Sequence, residues 1–324
     1  HCDTPMFFSD SQDDVNHMFT TRTDRVLVDL PKMTDGRLDA SIMVAYIPQG
    51  ERSAQGYREA FALAQKKLDQ IEALTRAYPH LLGLASNPDD LLRFKAQGIK
   101  AIMRGIENGY AIGRDLSLLS HFRQMGVVYM TLCHNGDNDI CDSARGHAEH
   151  GGLSAFGQEV VREMNALGMM IDMSHAAESS FYDALALSQA PIVCSHSSSR
   201  ALCSHPRNLT DEQMKALAAQ GGVAQVTLYH GFLRHEGEAT VLDALDHLHH
   251  MVQVMGPEHV GIGTDFDGDG GVRGLKDASE LIGFTRQLLR RRYSESDLQG
   301  IWGGNFLRVM RQVQSSATSH LGLS

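Results

Sequence analysis

The chain has 324 residues, 42% hydrophobic and 21% charged, which are the proportions of a folded protein with apolar material for a large core. Lys and Arg number 29 against 39 Asp and Glu, a formal net charge of −10 that disfavours nucleic acid as a partner; the one basic cluster, Arg290-Arg291-Arg292, follows Leu288-Leu289 and reads as a solvated helix face. No apolar run approaches the ~18 residues of a membrane span, and the polar opening His1-Cys2-Asp3-Thr4-Pro5 carries no leader pattern, so a signal or anchor would have to lie upstream of it.

Along the chain, apolar β-type runs end in polar residues and are followed by turns and helical periodicity. The runs cover 38–47, 99–107, 127–134, 169–175, 191–196, 221–229 and 259–267. Helical patterns fall at 57–77, 115–125, 157–167, 178–188, 211–219 and 241–255. Alternation of nearly continuous apolar strands with helices is the signature of a parallel sheet covered by helices. A dinucleotide fold is disfavoured, because no G-x-G-x-x-G follows a first strand and Gly261-Ile262-Gly263 lies inside one. A (β/α)8 TIM-type barrel forming a single domain over 1–324 is therefore expected. Its first strand looks truncated, since His-Cys-Asp reads as the polar end of a strand whose apolar body would precede His1.

In such barrels the reacting groups come from the C-terminal ends of the strands. Taken together, these ends supply His1, Asp3, Glu107, His134, His175, His196, Asp265 and Asp267. Imidazole and carboxylate are the ligands zinc prefers, and three histidines with three carboxylates could hold two ions. Alternation puts His1 and Asp3 on one side of an extended chain. Two successive strands end in Ser174-His175 and Ser195-His196, and neighbouring parallel strands lie about 4.8 Å apart, so both imidazoles can reach one ion. The five cysteines show no CxxC pair and are expected to be buried, reduced thiols. His247, His249 and His250 on a helix, and His147 and His150 in a Gly-rich loop, are expected at the surface.

These and further motifs resemble the membrane dipeptidase (renal dipeptidase) family of the amidohydrolase superfamily over essentially the whole chain. They include Gly105-Ile106-Glu107-Asn108-Gly109, Ile171-Asp172-Met173-Ser174-His175, Ser195-His196-Ser197-Ser198, His205-Pro206-Arg207-Asn208 and Gly263-Thr264-Asp265-Phe266-Asp267. The resemblance implies a barrel with two zinc ions, His1 and Asp3 ligating one, His175 and His196 the other, and Glu107 bridging them. It implies a zinc-dependent dipeptidase attacking through a metal-bridging hydroxide, with Asp265 as the proton-transferring aspartate and His134 stabilising the oxyanion. Arg207 would bind the terminal carboxylate of the substrate, and Asn208 would orient the loop or touch the substrate backbone. Asp267 could assist the reaction or be structural, and Tyr110 stands where the best-known family members carry histidine.

Two alternatives stay open at this stage: an amidohydrolase acting on N-acyl amino acids or lactams, and a non-catalytic barrel that binds peptide or metal. Divalent metals other than zinc and a homodimer are compatible with the same residues. A Schiff-base lysine at a strand end is absent, which disfavours a metal-free aldolase.

Overall fold

The computed structural model describes residues 1–321. Eight strands form one parallel sheet: β1 (Ala40–Tyr46), β2 (Leu82–Leu84), β3 (Lys100–Glu107), β4 (Val127–Thr131), β5 (Met170–Asp172), β6 (Val193–Cys194), β7 (Val223–Val226) and β8 (Val260–Ile262). Their order is β1-β3-β4-β5-β6-β7-β8. β2 lies off this path, paired with the first residues of β3, while β4 takes the same edge from Arg104 onward. The seven runs read from sequence are all present, trimmed to their ladder-paired centres; the three-residue β2 is additional.

The ring closes through the opening residues. Cys2 bridges in parallel to Met43 on one side and to Phe266 on the other. Its N–H donates to Ile42 O (3.0 Å), Val44 N–H donates to Cys2 O (3.1 Å), and Asp3 N–H donates to Phe266 O (2.8 Å). Where the sequence directs the search for a first stave upstream of His1, the segment His1-Cys2-Asp3 itself occupies that position. Counted with β1 and β3 to β8, it completes an α/β barrel of the (β/α)8 type.

Successive strand residues alternate between two apolar clusters. Ile42 and Val44, with Ala101 and Met103, join an inner cluster; Met43 and Ala45, with Ile102 and Ile106, pack outward beneath the helices. The helices start at well-formed caps: Ser53, Ser154 and Thr210 each accept an N–H of the first turn, and Thr210 forms a reciprocal capping box with Gln213. The last helix, Asn305–Leu321, packs Phe306, Val309, Met310 and Val313 onto the inner cluster. Arg308 donates to Gly221 O and Glu258 O, just before β7 and β8, so this helix lies across the N-terminal ends of the strands. That end is plugged, which leaves the C-terminal mouth for chemistry.

All five cysteines are buried and free, as expected. His247 departs from expectation. It is buried, accepts the N–H of Ser199 at 3.0 Å and lies 3.0 Å from Leu233 O, because helix 241–255 places it on the same face as Ala244, Leu248 and Met251. No helix among the described residues is long and apolar enough to cross a membrane.

Candidate metal centre

On the three-residue stave, His1 and Asp3 alternate toward the mouth, while Cys2 turns to Ser41 and Thr4. Glu107 closes β3 at their centre. Its Oε1 lies 3.0 Å from His175 Nε2, 3.3 Å from His196 Nε2 and 3.7 Å from His1 Nε2. His1 Nε2 is also 3.5 Å from Asp3 Oδ2 and 3.9 Å from Asp265 Oδ1. The Nε2 atoms of His175 and His196 are 2.9 Å apart. All six side chains are buried.

Each imidazole is held by its other nitrogen. His175 Nδ1 lies 3.1 Å from Asn135 Oδ1, His196 Nδ1 2.8 Å from Ser195 Oγ, and His1 Nδ1 2.6 Å from the Tyr129 hydroxyl. With Nδ1–H donated outward, the neutral rings of His175 and His196 each present an Nε2 lone pair to the centre. Two such lone pairs cannot bond to each other, and a cation between them resolves the contact.

Electrostatics agree with the geometry. Burial, and then the neighbouring Asp3, push the Glu107 carboxyl well above its ordinary range and that of Asp265 up to about 8. Burial works against a charged His1, yet Asp3, Glu107 and Asp265 together lift it to about 10. Burial, reinforced by the charge of Arg207, holds His175 and His196 well below the usual imidazole value and brings His134 down to about 4. Three carboxylates crowded in one dry site repel one another unless a cation or protons intervene.

The residues present fit divalent cations. Both carboxylate oxygens of Asp3 and the Nε2 of His1 are buried without a hydrogen-bond partner among the described residues, an expensive condition that metal ligation would relieve. Three overlapping groups could each hold an ion: His1, His196 and Asp265; Glu107, His134 and His175; His1, Asp3 and Glu107. A Cβ added at Gly268 would stand 2.3 Å from Asp3 Oδ2 and 2.8 Å from Asp265 Oδ1, so glycine keeps this space clear. His175 (φ 70°) and Asp265 (φ 58°) both sit in the left-handed region, as ligand-bearing residues at functional sites often do.

The other residues singled out from sequence fall in distinct places. The His134 ring lies 4.1 Å from that of His175 and meets Tyr46 edge-on at 4.8 Å, beside the centre. Arg207 is buried, with Nη2 donating to His196 O at 3.3 Å and its guanidinium over Phe232; Nε has no partner, and no carboxylate pairs with it among the described residues. Asn208 donates to Cys203 O and Phe232 O and so braces the loop that carries Arg207. Asp267 turns from the centre, accepting the Thr4 hydroxyl at 2.6 Å and Leu27 N–H at 2.7 Å. Tyr110 packs against Tyr57, with its hydroxyl on Glu51 O.

Sequence reasoning does not assign a chemical role to four supporting residues: Asn135, Tyr129, Asp172 and Ser195. Asp172, Ser174 and Ser195 are polar interruptions of otherwise apolar strands, and that is the available signal.

A model of the membrane dipeptidase family (peptidase family M19) matches residues 1–321. The chain belongs to that family. It is 36% identical over 334 residues to Dipeptidase 3 of Mus musculus, an alignment that takes in all of this chain and 66% of the mouse protein. The chain thus spans just under two thirds of this family member. Among solved structures, the probable dipeptidase PvdM of Pseudomonas aeruginosa superposes with a TM-score of 0.88 at 27% identity, covering 94% of this chain and 98% of that one. A metallo peptidase of Rhodobacter sphaeroides, liganded with a phosphinate mimic of L-Ala-D-Ala, shares the fold with a TM-score of 0.89 at 23% identity over 97% of both chains.

Proposed function

We propose that this member of the family is a binuclear zinc dipeptidase whose substrates carry a free C-terminal carboxylate. The observation that carries this is the juxtaposition of the Glu107-centred His and Asp cluster with a buried, acid-free Arg207 at the same barrel mouth. The dipeptidase names of relatives such as the mouse protein support the reaction class.

His1 and Asp3 would hold one ion, His175 and His196 the other, with Glu107 reaching both; bound there, zinc acidifies a water and polarises the scissile carbonyl. Arg207 offers a planar pair of donors to the substrate carboxylate, and Asn208 keeps its loop in place. His134, neutral at pH 7, donates an N–H to the carbonyl oxygen as charge develops on it. Asp265 takes a proton from the attacking water and returns it to the leaving amine.

Metal analysis of the purified protein, coupled to a screen of L,L-, L,D- and dehydro-dipeptides, tests the assignment. The expected result is two zinc ions per chain and hydrolysis of at least one dipeptide class. Protein that holds no zinc and leaves every dipeptide intact after zinc addition would overturn it.

A further inference from the structure

Asp172 ends β5 fully buried at the floor of the mouth and accepts four hydrogen bonds. Oδ1 takes the N–H groups of Ser174 (3.1 Å) and Ser195 (2.8 Å); Oδ2 takes the hydroxyls of Thr131 and Ser195, both at 2.6 Å. Four donors occupy the lone pairs of this carboxylate, so the Ser195 hydroxyl proton is committed to it. The Ser195 oxygen is then left to accept. Besides Ser174 Oγ at 3.5 Å, too long to compete with Asp172, its neighbours are His196 Nδ1 at 2.8 Å and, more distantly, His1 Nδ1 at 3.4 Å. The rings of His1 and His196 stand 4.1 Å apart, centroid to centroid, on either side of this contact.

We infer that Asp172 and Ser195 are positioning residues that fix the tautomer of His196 and, secondarily, the ring of His1. Neither touches the cluster's inner atoms. Asp172 orients the Ser195 hydroxyl, Ser195 draws the proton of His196 to Nδ1, and Nε2 is left bare toward Glu107 and His175. One serine oxygen therefore serves ligands of both halves of the centre, whereas among the described residues Asn135 serves only His175 and Tyr129 only His1. The inference rests on the metal-binding part of the proposed function and does not depend on which substrate is cleaved.

The competing role is purely mechanical, because Asp172 also ties the ends of β4, β5 and β6 together through Thr131 and Ser195. Metal affinity separates the two roles. Cobalt(II) and zinc would be titrated against a chelator into the parent protein and the Ser195→Ala, Ser195→Thr and Asp172→Asn variants, with the cobalt absorption spectrum and the melting temperature of each metal-free protein recorded alongside. The expected result for Ser195→Ala is an affinity lower by roughly 10- to 100-fold, the usual cost of losing a partner behind a metal-bound histidine. Its cobalt spectrum should change, its metal-free melting temperature should stay near the parent's, and Ser195→Thr should restore affinity. Asp172→Asn should follow Ser195→Ala if it still folds, and Ser195→Ala carries the test if it does not. Parent-like affinity and spectrum in Ser195→Ala, or a loss that Thr fails to restore, would overturn the inference while leaving the dipeptidase assignment standing. A parent protein that binds neither ion would overturn both.

Discussion

The two halves of the candidate centre are built in different ways. His175 and His196 stand at the ends of adjacent strands, and each ring is fixed by a hydrogen bond from its Nδ1–H to a side-chain oxygen, that of Asn135 or Ser195. His1 and Asp3 sit on a stave of three residues that is held mainly by its backbone, with Asp265 N–H donating to His1 O at 3.2 Å. Among the described residues no hydrogen bond restrains the Asp3 carboxylate, and it faces two other acids. The first half is thus ordered in advance, and an ion entering it would find these two imidazoles already oriented. The second half would gain more from an ion through charge neutralisation, because a cation could replace the protons that burial and mutual repulsion favour on Glu107 and Asp265 beside Asp3. The sequence puts the body of this strand before His1, yet the stave is paired on both sides; of its two candidate ligands, His1 has a side-chain partner in Tyr129 and Asp3 has none among the described residues.

Glu107 is common to both halves, so its removal should have the largest effect. Glu107→Ala is expected to release metal from both and to lower dipeptide hydrolysis by on the order of 10⁴-fold, the scale seen when one member of a catalytic unit is lost. Metal content by mass spectrometry and kcat/KM check it; retention of two ions would refute the shared role. Gly268→Ala should separate the halves. Its new methyl would meet Asp3 Oδ2, displacing that carboxylate while His175 and His196 stay put. One ion should be retained and the other weakened, with activity reduced by roughly 10²-fold, the cost of an ångström-scale misplacement. Equal loss of both ions would show that the halves are coupled more tightly than their separate supports suggest.

Arg207 meets the centre through a hydrogen bond to His196 O. Arg207→Ala should leave both ions bound and raise KM for dipeptides by roughly 10- to 100-fold, corresponding to about 1.5–3 kcal/mol for hydrogen bonds to a charged group. The matching dipeptide amide, lacking the carboxylate, should discriminate poorly between parent and variant. If the amide suffers as much as the acid, Arg207 acts on the fold of the site and not on the substrate terminus.

Much of this centre is legible in the sequence because each contributing strand is an apolar run that stops at a polar residue. Glu107, His134, His175 and His196 can be found that way, and period-two alternation pairs His1 with Asp3. What is hidden depends on packing between distant segments. β2 is three residues long and too short for periodicity to register, and the helix 305–321 across the barrel floor has no strand to announce it. His247 could have been read as buried, since it follows Ala244 by three residues and precedes Met251 by four, on one helical face. The brace from Asp172 to Ser195 and the Tyr129 contact to His1 join residues 23 and 128 positions apart, and nothing local reveals either.

The smallest expected effect concerns Asp267, which alternation places on the same side of its strand as Asp265. The backbone decides otherwise. Asp265 and Asp267 both adopt positive φ, so the segment is no longer a regular strand and period two does not hold across it. Asp267 therefore turns to the Thr4 hydroxyl and Leu27 N–H, tying the residues after the opening stave and the loop before residue 30 to the barrel rim. Asp267→Asn keeps the shape and can still accept one of these hydrogen bonds. It should cost about 1 kcal/mol of stability, the net worth of a typical hydrogen bond. Dipeptide kcat/KM should fall no more than about threefold, well under 1 kcal/mol of transition-state stabilisation. Thermal melting and steady-state kinetics on the same preparation distinguish the cases. Turnover slowed by roughly a hundredfold or more with both ions retained, a loss on the scale of general acid–base catalysis, would move Asp267 into the chemistry beside Asp265. A fall confined to the affinity of the His1 and Asp3 half would instead show that the backbone support of that half extends through Asp267.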